Sequence, residues 1–141
     1  MYERVIIPTD GSRCAMKGVV EGLDMAKDLG IEAVAVYVID RGEYEGLHHE
    51  SIKRSAMRGF KKRGRDALRS VKEAADKRGV DLKTKVLEGV PYKEINGVAE
   101  RNDIIYISTH GFSGFSHLFL GSTTERVLKN TKSTVAVVRG R

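Results

Sequence analysis

Cysteine occurs once, as Cys14, proline only twice, and tryptophan not at all. A lone cysteine excludes an intrachain disulfide and any all-cysteine metal site. The longest apolar run, Ala33 to Ile39, is seven residues, far short of the ~20 that a membrane-spanning helix needs. No long apolar stretch opens the chain, so no export signal is expected and the expected address is the cytoplasm. No Pro/Ser-rich linker, internal repeat or low-complexity tract breaks the 141 residues. They are expected to form a single domain, 1–141, long enough to bury roughly 70% of its unfolded surface. Hydrophobic residues make up 40% and charged residues 31%, a globular composition rather than a disordered one.

The net charge is +6, and its excess is local. Residues 51–79 hold 11 of the 25 Lys and Arg but only 3 of the 19 Asp and Glu. A basic segment raises nucleic acid as a partner. Its charges are spread around much of the helix and only Phe60 could stack on a base, so nucleic acid is not the expected partner.

Hydrophobic periodicity supplies the elements. Arg4 to Ile7, stopped by Pro8, suits a strand buried on both faces. Ser12 is placed to cap a helix running to Leu29, ended by Gly30. Glu32 to Ile39 reads as a second buried strand and Asp40 to Glu50 as a loop. Ser51 to Arg78 reads as a long helix whose apolar positions are Ile52, Ala56, Phe60, Ala67, Val71 and Ala74. Gly59 and Gly64 weaken it by about 1 kcal/mol each relative to alanine. Leu82 to Glu88 reads as a strand near a sheet edge, and Tyr92 to Arg101 as a short helix entered by Pro91. Asp103 to Ser108 is a strand, Thr109 to Leu120 a loop, and a helix capped by Ser122 or Thr123 runs to Asn130. Thr134 to Arg139 is the last strand. Strands alternating with helices imply right-handed crossovers and a parallel sheet covered on both faces.

Ligands of such sheets bind beyond the carboxyl ends of the strands. Pro8 to Ser12, Val38 to Asp40 and Ser108 to Ser122 should therefore share one rim. Ser108-Thr109-His110-Gly111, nine residues, then Gly121-Ser122-Thr123-Thr124 combines glycines, hydroxyls and a helix start, which is equipment for phosphate. Read as structure only, the glycines make turns and a serine caps a helix. Asp10 suits either a ribose hydroxyl or an Asx-turn. His110 suits packing or a backbone bond better than catalysis. Cys14 suits packing, and the adjacent His48 and His49 are poorly spaced for one metal. There is no G-x-x-x-x-G-K-[ST] and no G-x-G-x-x-G. Gly111-Phe112-Ser113-Gly114 misses the spacing of a hydrolase nucleophile elbow.

These residues together resemble the universal stress protein family over nearly the full length. The likeness rests on Val5-Ile6-Ile7-Pro8-Thr9-Asp10-Gly11-Ser12, on Ser108-Thr109-His110-Gly111 to Gly121-Ser122-Thr123-Thr124-Glu125-Arg126-Val127-Leu128, and on Ser133 to Val138. The resemblance implies a three-layer α/β/α fold, Rossmann-like and similar to the adenine nucleotide α-hydrolases. Its five-stranded parallel sheet has the order 3-2-1-4-5. It further implies a homodimer paired through Thr134 to Arg139. By similarity to ATP-binding members, Pro8, Thr9, Asp10 and the backbone of Val38 would hold adenine and ribose. Ile107, Ser108, Gly111, Gly121, Ser122, Thr123 and Thr124 would hold ribose and phosphates. ATP, or ADP or AMP, would carry Mg²⁺ or Mn²⁺ on its phosphates. A regulatory, stress-response role with little or no hydrolysis is implied. The alternatives are a nucleotide-free dimeric adaptor and a nucleic-acid binder working through the basic helix. An α-hydrolase-type enzyme is disfavoured, because Pro8-Thr9-Asp10-Gly11-Ser12 stands where those enzymes carry S-G-G-x-D-S. The chain departs from the family's G-x-x-G in having Ser108 at the first glycine. A serine fits there if the backbone keeps a negative φ.

Overall fold

The computed structural model describes residues 1–110 and 120–140. Five strands, β1 (Arg4–Pro8), β2 (Glu32–Asp40), β3 (Leu82–Gly89), β4 (Asp103–Ser108) and β5 (Thr134–Val138), form one sheet of order β3-β2-β1-β4-β5. Every pairing is parallel. Helices α1 (Arg13–Leu29), α2 (Glu50–Arg78), α3 (Pro91–Val98) and α4 (Ser122–Asn130) cover it. The expected architecture and strand order are those observed.

Strand residues alternate between the two faces. Val5, Ile7, Ala33, Ala35, Ile104 and Tyr106 pack with Val19 and Leu23 of α1 and Leu68 and Val71 of α2. Ile6, Val34, Val36, Ile105 and Ile107 pack with Ile95 of α3 and Val127 of α4. This is why β1 and β4 are continuous apolar runs: neither face meets water. α1 lies unusually close to the sheet. A Cβ built on Gly22 would stand 3.0 Å from Ile7 and Tyr106 side-chain atoms, and one on Gly18 3.1 Å from the Ser108 backbone nitrogen. Small residues one turn apart therefore seat α1 against the exit of β4.

Local signals placed most boundaries. Ser12 Oγ accepts from Ala15 N at 3.0 Å and Gly30 closes α1 in the left-handed region. One boundary needs correcting. α3 ends at Val98, not Arg101. The Asp103 carboxylate accepts from Glu100 N at 2.7 Å and turns the chain out of the helix. The apolar stripe of α2 is broken, as its sequence indicated. Its buried residues begin at Gly64, and Ile52 is 49% exposed. The first half of the helix projects past the sheet that holds the second.

Gly59 lies in that projecting half with open space where a side chain would go. Gly59→Ala is expected to raise stability by about 1 kcal/mol, through lower backbone entropy in the unfolded chain. A chemical-denaturation midpoint at constant slope checks this. No gain would mean that the segment is not helical in solution.

Candidate functional site

The carboxyl ends of β1, β2 and β4 open on a common rim, and a cleft of about 320 Å³ lies there. Pro8, Thr9, Asp10, Val38, Ile107, Ser108, Gly121, Ser122, Thr123 and Thr124 all line it. These are the residues expected from the sequence, with one exception. Gly111 lies outside the described residues.

The turn from β1 into α1 is braced by its own side chains. Thr9 Oγ1 accepts from Gly11 N at 3.1 Å and Asp10 Oδ1 accepts from Ser12 N at 2.9 Å. Gly11 takes φ 85°, a conformation that costs an L side chain energy, and Ala67 of α2 stands 3.2 Å from where its Cβ would be. Asp10 therefore makes the Asx-turn and also faces the cleft.

The turn leaving β4 is braced differently. Ser108 Oγ donates to His110 O at 2.8 Å, and Ser108 O accepts from Thr124 Oγ1 at 2.8 Å. No described non-glycine residue has a positive φ, so serine at position 108 is unstrained. Gly121 N donates to Thr109 O at 2.8 Å and Gly121 O accepts from Glu125 N at 3.0 Å. These bonds make Gly121 itself the N-cap of α4, correcting the expectation of Ser122 or Thr123. No side chain caps this helix start. Its first amides carry the partial positive charge of the helix end, within the cleft wall.

The sequence placed Asp40 and His110 on the rim, His110 as a packing or backbone-bonding residue, but not Tyr37, Glu43, Phe60 or Arg63; all six line the cleft. Tyr37 flanks Val38, already expected on the rim. Phe60 and Arg63 come from α2, and only its packing on β2 brings them there. Gly64 permits this, since its Cβ would stand 2.9 Å from the Tyr37 ring. Arg63 lies over the Phe60 ring at 5.0 Å, a cation–π contact. Burial pushes the Tyr37 phenol up, with Arg63 opposing and Glu43 and Asp10 adding to the shift.

His110 is 8% exposed, and among the described residues its Nε2 is buried with no hydrogen-bond partner. Its Nδ1 lies 3.0 Å from Thr109 Oγ1, which also accepts from Gly140 N at 3.1 Å. In the tautomer where the Thr109 hydroxyl donates to Nδ1, Nε2 carries a proton and is a donor. Sequence could not show this, because the partners come from β4's exit and the chain terminus. Among the described residues no three His, Cys, Asp or Glu are grouped to hold a metal ion, His48 and His49 included. No helix described is long and apolar enough to cross a membrane. Cys14 packs beside Gly140.

A family model described as the universal stress protein family matches residues 1–139. Universal stress protein MJ0531 of Methanocaldococcus jannaschii is 37% identical over 141 residues, covering 99% of this chain and 83% of that protein. The solved structure of the hypothetical protein MJ0577, from the same organism, superimposes with a TM-score of 0.82 at 27% identity, covering 99% and 96% of the two chains. A universal stress protein solved in complex with cAMP shares the fold with a TM-score of 0.71 at 19% identity, over 99% and 98%. Another, from Archaeoglobus fulgidus in complex with dAMP, does so with 0.66 at 13%, over 99% and 98%.

Proposed function

The chain belongs to the universal stress protein family, and on that premise we propose that its rim cleft binds an adenine nucleotide, ATP, ADP or AMP, and that a partner reads the occupied state. One observation carries the reading. Segments a hundred residues apart in sequence, Pro8–Asp10 on one side and Ile107, Ser108 and Gly121–Thr124 on the other, converge with Val38 on one cleft. Its volume is in the range of small-molecule sites. The relatives solved with cAMP and dAMP share the fold with this chain.

The division of labour follows from chemistry. The apolar and backbone surface at Pro8 and Val38 suits a purine, and Asp10 suits hydroxyl or amine donors. Gly121 to Thr124 present amides and hydroxyls to phosphate oxygens. His110 Nε2, buried and unpartnered among the described residues, adds a donor that an anion would satisfy. Among the described residues no lysine lines the cleft, and Asp10, Asp40 and Glu43 oppose one guanidinium, that of Arg63. A triphosphate would therefore need its charge reduced by Mg²⁺ or Mn²⁺ held on the phosphates themselves. The residues present fit that arrangement.

The test is direct. Protein purified without added nucleotide is denatured, and any released adenine nucleotide is identified by chromatography. If none is released, the protein is titrated calorimetrically with ATP, ADP and AMP, with and without Mg²⁺. Saturable micromolar binding is expected. Absence of both carried and titratable nucleotide would sink the reading in favour of the nucleotide-free adaptor.

We place self-association at the edge strand β5. Its described pairing is to β4 alone, and Val137 is 37% exposed. An open apolar edge invites pairing with a second copy. Val137→Lys is expected to shift the protein from dimer to monomer in sedimentation; an unchanged dimer would move the interface elsewhere.

A further inference from the structure

On α2, Arg54, Arg58, Lys61, Arg65, Arg69 and Lys72 follow one another at spacings of four, three, four, four and three residues, and all six are exposed. At 3.6 residues per turn these fall on one helix face, within an arc of about 80° and along about 27 Å. Between Ser51 and Ala75 no Asp or Glu shares that arc. Six of the eleven basic side chains of residues 51–79 are thus aligned, while Lys53, Lys62, Arg63, Lys77 and Arg78 lie elsewhere around the helix. We propose that this stripe docks along the phosphate backbone of duplex DNA without reading its sequence. The proposal is independent of the rim cleft.

Three observations support that partner. The first concerns cost. Like charges three or four apart destabilise a helix by about 0.2–0.5 kcal/mol per pair, and the stripe contains five such neighbouring pairs. Asp66 approaches Arg69 at 3.4 Å and Asp76 approaches Lys72 at 3.0 Å. Arg54, Arg58, Lys61 and Arg65 have no ion pair within 4.0 Å among the described residues. A repeating polyanion offsets such repulsion; a small anion meets only part of it.

The second is spacing. Successive charges rise by about 5 Å along the helix axis, which suits the regular phosphates of a backbone better than the irregular acids of a protein surface.

The third is what the stripe lacks. It holds no aromatic, Asn or Gln side chain to read a base edge, so contacts would be to phosphate. It also holds no apolar residue to enter a lipid surface. The apolar face of the second half of α2, at Leu68, Val71 and Ala75, is already buried on the sheet. Phe60 and Arg63 leave the helix toward the cleft, clear of the stripe.

The experiment uses the full chain and a 30-base-pair DNA duplex of mixed sequence, with binding followed by fluorescence anisotropy from 50 to 300 mM salt. Four or five phosphate contacts predict a slope of log K against log salt of about −4, at roughly 0.9 per phosphate. Arg58→Gln with Arg65→Gln should make the slope shallower by about 2. Lys85→Gln with Lys93→Gln removes the same charge from the opposite face. Lys85 is in register with Val36 there, and Lys93 is on α3. That control should leave the slope unchanged. All four side chains are exposed, so both variants should melt like the parent. Equal losses in the two variants would show an effect of net charge alone and overturn the proposal. So would a flat salt dependence, or binding to phosphatidylserine vesicles with none to the duplex.

Discussion

Gly121→Val is expected to weaken ATP binding by about a hundredfold, or ~2.7 kcal/mol, while the protein stays folded. Gly121 has φ −64°, which any L residue adopts. A Cβ there would stand 3.3 Å from Thr109 O and 3.7 Å from His110 Cα, close but tolerable. Valine caps a helix less well than glycine, at a cost of ~1 kcal/mol. Its two methyl groups, however, must occupy space beside the uncapped start of α4, where phosphate oxygens would approach the amides. The loss should therefore grow with the number of phosphates, and adenosine should be least affected. Calorimetric titration of adenosine, AMP and ATP against parent and variant, with a thermal melt of each, reads all of this. Equal losses for adenosine and ATP would show that Gly121 does not face the phosphates. Unchanged affinity for every ligand would remove the site.

Asp103→Ala is expected to cost about 3 kcal/mol of stability, the low end for breaking a buried pair, and to lower the melting temperature by roughly 10 °C. Asp103 is 1% exposed. Its carboxylate accepts from Arg4 Nη2 at 2.6 Å, from Arg4 Nε at 3.2 Å and from Glu100 N at 2.7 Å. Arg4 lies opposite it in register on β1, and the bond to Asp103 pushes the guanidinium's pKa up. Removing the carboxylate leaves a half-buried guanidinium and an amide without their acceptor. Arg4 also donates to Val98 O at 3.2 Å and is partly hydrated, which keeps the cost from being larger. The pair sits at the amino ends of its strands, away from the rim. Nucleotide affinity measured below the melting range should then match the parent. Replacing both partners, as Arg4→Met with Asp103→Leu, should recover most of the loss, because no uncompensated charge remains. A double variant as unstable as the single one would show that packing, not the ion pair, holds this end of the sheet.

Much of this was legible in the sequence because its causes are local. Val5-Ile6-Ile7 and Ile104 to Ile107 announce strands wet on neither face. Ser12, Gly30 and Gly79 mark helix ends through bonds reaching no more than a few residues. Where a boundary depended on a bond the pattern does not encode, reading it failed. The last turn of α3 is cut short by Asp103, a residue of the following strand. The cap of α4 is decided by Thr109, which lies well before it in sequence. The basic helix does carry charge around much of its circumference, as its sequence indicated, and the six-residue stripe within it follows from the 3.6-residue turn.

The sequence by itself determined the alternating parallel architecture, the order of its strands through the family pattern, and ten residues that meet at one rim. Periodicity, capping and the family's spaced glycines are written along the chain and survive being read one residue at a time. Only the tertiary structure decided that Phe60 and Arg63 cross from α2 into the cleft. It alone showed His110 Nε2 buried without a described partner, and Ser108 bracing the exit of β4 without strain. Those outcomes depend on distances between segments far apart in sequence, and such distances exist only once both faces of the sheet have packed.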